Sequence, residues 1–514
     1  MKTYPIYKVC KNILFVISLI AVGAMFLLNF FYNSTVSYNA YENVTVSVNI
    51  LSGLVTVGVI VAVLFLVALI RKHIEKIDPR LLFAAFSLMY GVMALYLILN
   101  VDHTVRADAS AVFYTAKNVS AGNYSAFEAG GYMDTYPHQT GLLLYDTVLQ
   151  IFSQSPALSF VLNFFFVLGI NYFTVKTAEQ LFNDQFTTVI TVAVSFAFLP
   201  QLLFILFAYG LTPGCFFMCF AFYNTLRAAS NMKIINVVMA VAGASLAVGF
   251  KKNFLIGAVA IGAYLALKML KESKITRLKI FSFLISLLLL VSVPAHLATV
   301  YFEHKTDISL DEGAPSVLWI AMGTDIDNRY CGAGWYNGFN LACYQNADHD
   351  SEVAAELGRK KLENNFKRMK NDPMQTVEFF RDKTVSQWCD PMFQSAWSGP
   401  LEDCGQYTHT ELLRSIYTGG TAESVIACFS KLVVLLIFGA AAIFLIFGRK
   451  QTDGWELLVA FFLGGLLFHT FWEAKSQYIY PYVFCLIPLA ANGMSKITYY
   501  IKNKFDGKKN NEHQ

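Results

Sequence analysis

Charge is scarce in this chain. Of its 514 residues only 14% are Asp, Glu, Lys or Arg, while 56% are hydrophobic. A soluble domain carries roughly 25% charged residues, so this composition excludes an ordinary soluble globular protein. The mean hydropathy is +0.48, and apolar runs of about 20 residues recur along the chain, the length a bilayer core demands. The net charge is only +4, which leaves no basic surplus for a nucleic acid to meet. Low-complexity tracts and short repeats are missing. So are a P-loop, a dinucleotide fingerprint, a Gly-x-Ser-x-Gly elbow and a paired metal-ligand motif. A nucleotide-driven mechanism therefore has no support.

What is present is a series of twelve apolar stretches: 12–32, 49–70, 81–100, 157–176, 187–207, 212–228, 234–250, 254–270, 280–299, 425–447, 455–471 and 478–498. The first follows Lys2, Lys8 and Lys11, is about 19 residues long and lacks a clear small-x-small cleavage site, so it reads as a retained anchor rather than a signal peptide. A thirteenth stretch, 139–152, holds Asp146 and Gln150. It would cover about 21 Å of a ~30 Å core, and reads as a juxtamembrane or half-inserted helix. With the N-terminus inside, twelve spans place Arg71 to Arg80, Lys268 to Lys279, Arg449-Lys450 and the tail lysines Lys502, Lys504, Lys508 and Lys509 on the cytoplasmic side. That satisfies the positive-inside rule. The expected fold is an all-α polytopic membrane protein of twelve to thirteen transmembrane helices with one large extracytoplasmic loop domain. Both termini are expected on the cytoplasmic side of the cell membrane.

Three segments then face outward: 101–138, 300–424 and the turn "WEAKSQY" at 472–478. Within 300–424, "HDSEVAAELGRKKLENNFKRMKNDP" predicts an amphipathic helix ending before Asp372-Pro373, and "TVEFFRDKTVSQW" a second. "MGTDIDNRYCGAGWYNGFN" is turn-rich. Cys331, Cys343, Cys389 and Cys404 lie in this region, and two readings stand for them, one or two disulfides or free thiols. Cys10, Cys215, Cys219, Cys428 and Cys485 lie in or beside spans, as packing residues do.

The outer segments carry the candidate chemistry. The stretch 106–141 holds Arg106, Asp108, Glu128, Asp134 and His138 among tyrosines and glycines. Asp108, or Asp102 nearer the span, has the chemistry of a general base toward a hydroxyl. The plainer reading of both is a solvated acid capping the next helix. Lys251 and Lys252 fall in an outer turn, against the positive-inside trend, where a phosphate would pair with them. Snorkelling to ordinary headgroups, or a different topology, would account for them equally. Lys383 and Trp388 either reach over the site or pack as a helix face. Glu473 and Lys475, in "HTFWEAKSQYIYPYVF", form either a binding rim or a helix-end charge pair. In "YPHQTG", Pro137 suits a first helical turn, and His138 is either a site residue or structural.

The patterns "DASAVFYTAKNVSAGNYS", "GYMDTYPHQTG", "MGTDIDNRYCGAGWYNG", "KTVSQWCDPMF" and the closing "EAKSQYIYP" resemble those of the GT-C superfamily of integral-membrane glycosyltransferases. The branch they are most similar to is the protein O-mannosyltransferase-like proteins of Gram-positive bacteria. The resemblance covers about residues 81 to 490. It implies an inverting hexosyltransferase that takes a sugar from a polyprenyl-phosphate carrier. The acceptor would be an envelope glycan, lipid or protein on the outer face. Asp108 maps to the base, and Lys251, Lys252 and Lys475 to the carrier phosphate. Asp102, Arg106, Tyr136, His138, Gln139, Lys383, Trp388, Glu473, Gln477 and Tyr478 are the remaining substrate-side candidates. Gln477 stands where related proteins often carry Arg, and the first loop lacks a paired Asp-Glu. These departures put the phosphate contacts and the base in question. Nothing in the motifs asks for a divalent metal, and nothing bars one. The implied organisation is an N-terminal two-helix addition (1–80), a transmembrane core (81–299), a loop domain (300–424), terminal helices (425–500) and a basic tail (501–514). Two other classes fit a chain of many spans: a transporter or flippase for lipid-linked sugars, and a polysaccharide polymerase or ligase. Transporters place acids at mid-membrane, whereas here Asp and Glu are nearly absent from the spans, apart from Asp146, and the acids collect at one surface.

Overall fold

A computed structural model describes residues 5–511, with side chains to 504. Lys2 and the tail side chains from 505 onward, Lys508 and Lys509 included, lie outside the described residues. The chain is overwhelmingly helical. Seven helices are long and apolar enough to cross a membrane: Pro5–Phe31, Ile50–Leu69, Pro79–Leu99, Ala157–Phe182, Lys252–Met269, Lys274–Thr306 and Thr421–Phe447. An eighth is the pair Gln185–Ala197 and Pro200–Leu206, bent by 50°. These features define an all-α polytopic membrane protein. By length and composition the spans number seven or eight, fewer than the twelve expected.

The shortfall has physical causes. Phe198 leaves helical backbone (φ −79°, ψ 76°), and Pro200 has no N–H to continue the ladder. Gln201 repairs the break from within. Its amide donates to the Ser195 carbonyl at 3.0 Å and to Asn171 Oδ1 at 2.6 Å, two bonds that tie the kink to its own helix and to the neighbouring one. Ile234–Phe250 and Trp455–Phe471 are apolar but shorter than 18 residues. The expected span 478–498 is interrupted. A 3-10 turn at Ser476–Tyr478 leads to Tyr480–Phe484 and then to Ile487–Asn511. The stretch 139–152 forms only the eleven-residue helix Thr140–Gln150.

Close approach of helices depends on small residues, as in membrane bundles generally. A Cβ on Gly493 would stand 1.8 Å from the Ala440 carbonyl oxygen, where Ile487–Asn511 meets Thr421–Phe447. A Cβ on Gly141 would stand 2.1 Å from Gly249 O, which brings Thr140–Gln150 against Ile234–Phe250. Apolar residues on Ile50–Leu69 remain uncovered by protein, Leu51 and Leu54 among them, as hydrocarbon-facing positions do.

Between the first two helices lies an antiparallel hairpin, β1 (Tyr32–Val36) and β2 (Val44–Val48), with Tyr32 opposite Val48 and Val36 opposite Val44. It docks on the 300–424 region. Ser34 N donates to Cys389 O at 3.0 Å, and Val44 N to Cys331 O at 2.8 Å. Residues 1–80 are thus bonded to the chain's far half.

The 300–424 region contains both expected helices. Ser351–Asn371 starts on Asp350, whose carboxylate accepts from Glu352 N and Val353 N. Pro373–Trp388 follows, with Asp372 as cap and Pro373 in its first turn. The Asp372-Pro373 boundary falls where proline sterics put it. All nine cysteines are free, Cys331, Cys343, Cys389 and Cys404 included.

Candidate functional site

The segments 101–138, 251–253, 300–424 and 472–478 converge on one cavity of about 1790 Å³. Asp108, Tyr136, His138, Gln139, Lys251, Lys252, Glu473, Lys475, Gln477 and Tyr478 line it. Ten of the fourteen residues singled out from sequence are therefore brought together, from three separate parts of the chain.

Asp108 occupies the first turn of helix Ala107–Ser120. Its side chain is exposed and makes no hydrogen bond or ion pair among the described residues. The preceding Ala107 holds φ +52°, a left-handed conformation that costs an alanine energy and is concentrated at functional sites. Lys251 caps the end of Ile234–Phe250. Its Nζ stands 4.2 Å from the Tyr209 ring centroid and 4.9 Å from that of Tyr478. No carboxylate lies within ion-pair distance of it among the described residues. Burial pushes its ammonium down to about 7, with Asp108 and Glu473 opposing the shift and Lys475 adding to it.

Lys475 is differently placed. Its Nζ meets Glu42 at 3.0 Å and Glu473 at 3.9 Å. Burial works against the charge, but the two carboxylates outweigh it and hold the lysine protonated. Glu473 is itself buried, and burial lifts its carboxyl to about 7. His138 is pushed the other way. The cavity walls around it, with Lys252 and Lys251 nearby, disfavour its charged form and lower it to about 3, although the residue is open to the cavity. Gln139 donates from its amide to the Tyr209 hydroxyl.

One wall is aromatic. Trp319 and Trp472 are parallel to within 6° at 5.9 Å, and Phe468 continues the stack beyond Trp472. Tyr136 meets Trp319 edge-on and Tyr132 packs on Tyr136. Flat aromatic faces of this kind offer an apolar surface to the C–H face of a sugar ring.

Four candidates lie elsewhere. Lys383 and Trp388 do not line the cavity. Lys383 is fully buried behind it and donates to Gly323 O and, at 2.7 Å, to Trp472 O. It pins the Trp472 turn. Trp388 is 1% exposed and packs edge-on against Phe462, while its carbonyl accepts from Asn29 at 3.1 Å. Both sit on the inner face of their helix, which the amphipathic pattern could not orient. Asp102 accepts from Tyr407 N at 2.9 Å and from His409 at 3.1 Å, and so ties 101–102 to 407–409. Arg106 stacks on the Trp397 ring at 3.9 Å and bonds Gly399 O at 3.3 Å, behind the cavity wall.

Sequence reasoning missed Glu42, Asp390, Tyr209, Trp319 and Trp397. Asp390 is buried and builds the turn after Trp388 by accepting from Met392 N and Gln394 N. It also takes Ser476 Oγ at 2.6 Å, and Gln394 accepts from Gln477 N at 3.2 Å. The "CDPMFQ" turn thereby holds the "EAKSQ" turn. Phe393 and Gln394 there both have positive φ, +50° and +55°. Glu42 left a faint signal, being the only acid before Glu75, in a short polar linker between apolar runs. Among the described residues, no group of three His, Cys, Asp or Glu side chains is arranged to hold a metal ion.

No family model matches the chain, and no curated protein matches it.

Proposed function

We propose that this protein is a membrane glycosyltransferase. It moves a sugar from a polyprenyl-phosphate carrier to an acceptor hydroxyl on the extracytoplasmic face of the cell membrane, in envelope glycan or glycoprotein synthesis. One observation carries the reading: the cavity is polar at one end and apolar at the other. At the polar end stand Asp108, Lys251, Lys252 and Lys475. The apolar end runs along two helices, the span Lys252–Met269 and the shorter apolar helix Trp455–Phe471. It is lined by Leu255, Ile256, Val259, Ala260 and Ala263 on one, and by Gly464, Leu467 and Phe468 on the other. The first set spans about 12 Å of helix at 1.5 Å per residue. A phosphate with a prenyl tail matches that polarity, its head on the lysines and its chain in the crease.

The mechanism assigned to these residues is a single in-line displacement. Asp108 takes the acceptor proton as general base. The acceptor oxygen bonds to the anomeric carbon while the bond from that carbon to the carrier phosphate oxygen breaks. The electron pair leaves on that oxygen, and the lysines stabilise the developing charge. Neutral His138 and Gln139 are placed to position hydroxyls, and Trp319 and Trp472 to support the sugar. The test is transfer of label from a polyprenyl-phosphate hexose to an envelope acceptor by purified protein. Asp108→Asn should lose the activity by at least about 100-fold, the usual share of a general base, while still binding donor. Full turnover in that variant removes Asp108 as the base. No transfer from any such donor by folded wild type removes the glycosyltransferase reading.

A further inference from the structure

The hairpin loop between β1 and β2 places Ala40, Tyr41 and Glu42 on the cavity wall. Two hydrogen bonds hold the loop there. Trp397 Nε1 donates to Asn39 O at 3.2 Å, and Ser37 N to Asn43 O at 2.8 Å. Glu42 is nearly buried. Its carboxylate holds Lys475 Nζ at 3.0 Å and accepts from Gln394 Nε2 at 3.4 Å. A pocket built only to capture a phosphate has no use for such a pairing. The carboxylate occupies a cation that the phosphate would otherwise take, and it adds a negative charge beside the anion.

The charge change of the reaction supplies a use. This step rests on the donor reading above. The donor is a phosphodiester with one negative charge. After the carbon–oxygen bond breaks, the carrier phosphate is a monoester that carries between one and a half and two negative charges near neutral pH. A pocket of unopposed lysines binds this product more tightly than the donor, and turnover stalls on release. We propose that Glu42 is the residue that sets the charge of the phosphate pocket, partly neutralising Lys475 so that the monoester product leaves. Lys251, flanked by tyrosine rings rather than carboxylates, is then the cation that takes up the developing charge.

The test uses the full-length protein in detergent. Two probes are titrated by tryptophan fluorescence, since Trp319, Trp397 and Trp472 line the cavity. One is farnesyl phosphate, a monoester, and the other is its methyl diester. Glu42→Gln keeps the shape and removes the charge. It should bind farnesyl phosphate roughly three- to tenfold more tightly, with a smaller gain for the diester, as Coulomb attraction scales with charge. Glu42→Asp should behave as wild type. Weaker or unchanged binding of the monoester by Glu42→Gln overturns the proposal, because a residue that merely positions Lys475 would lose affinity when altered. Should Glu42→Gln not fold, Lys475→Gln should shift the monoester-to-diester preference the opposite way, and an unchanged preference there overturns it equally. Wild type that binds neither probe overturns the donor reading and this inference together. Wild type that binds both, beside a Glu42→Gln that gains nothing, overturns this inference alone.

Discussion

Lys251 offers the sharpest perturbation. Its ammonium is packed between the Tyr209 and Tyr478 rings, 4.2 and 4.9 Å from their centroids, and burial brings its pKa down to about 7. An anion binds the protonated form. With Lys251 about half charged near pH 7 and nearly neutral at pH 9, affinity for a prenyl phosphodiester should fall by up to about 50-fold, or about 2.3 kcal/mol, across that window, less the share that Lys252 and Lys475 retain. The diester is the right probe because its own charge does not change there. Glu473 titrates near the same pH, and its ionisation adds a negative charge that also weakens binding. The Lys251 share is therefore read in a Glu473→Gln background. His138 stays neutral throughout, since the cavity walls and the nearby lysines hold it near 3. Lys251→Arg keeps its charge at every pH in the range and should flatten the profile. Fluorescence titration with farnesyl methyl phosphate from pH 6 to pH 9 measures all three proteins. A wild-type affinity that does not change with pH, or a Lys251→Arg slope equal to that of wild type, refutes the reasoning.

Two further outcomes bear on the framework around the site. Lys383→Met removes an amine that donates to Gly323 O and Trp472 O, and whose charge burial disfavours, bringing it down to about 7. The lost bonds leave the Gly323 and Trp472 carbonyls short of a donor, at a cost of about 2 kcal/mol. It should appear as a lower thermal midpoint and as easier acrylamide quenching of the tryptophans, and an unchanged midpoint would remove Lys383 as the pin of that turn. Glu473 is a carboxyl whose folded pKa, about 7, lies above its ordinary 4.5. The unfolded chain releases that proton first, so the folded state loses up to about 3 kcal/mol as pH rises from about 4.5 to 7. Thermal midpoints at pH 5 and pH 8 should therefore drop more for wild type than for Glu473→Gln, and equal drops would show that the carboxyl titrates normally.

Much of this was legible from residue types and spacing. A bilayer imposes a length and a polarity on each span, so composition alone exposed the membrane class and the run from Pro5–Phe31 to Thr421–Phe447. Proline sterics marked the boundary at Asp372-Pro373. Charges displaced from apolar runs marked Asp108, Lys251 and Glu473. The count of spans was less legible, because hydropathy does not register a kink. Pro200 and the break between Tyr480–Phe484 and Ile487–Asn511 interrupt runs that read as continuous. Helix faces were illegible too. Lys383 and Trp388 point inward, and no local pattern separates a residue facing a cavity from one facing a packed wall.

By itself, then, the sequence determined that the protein lives in a bilayer and that most of its charged residues gather outside the spans. Both follow from the transfer cost of charge into hydrocarbon, a property each segment carries alone. Only the tertiary structure decided which of those residues meet. Glu42 and Lys475 are 433 positions apart along the chain, and Asp390 reaches Ser476 across 86. Such pairings depend on how hairpin, turn and helix dock, which is a matter of long-range packing that no local stretch encodes.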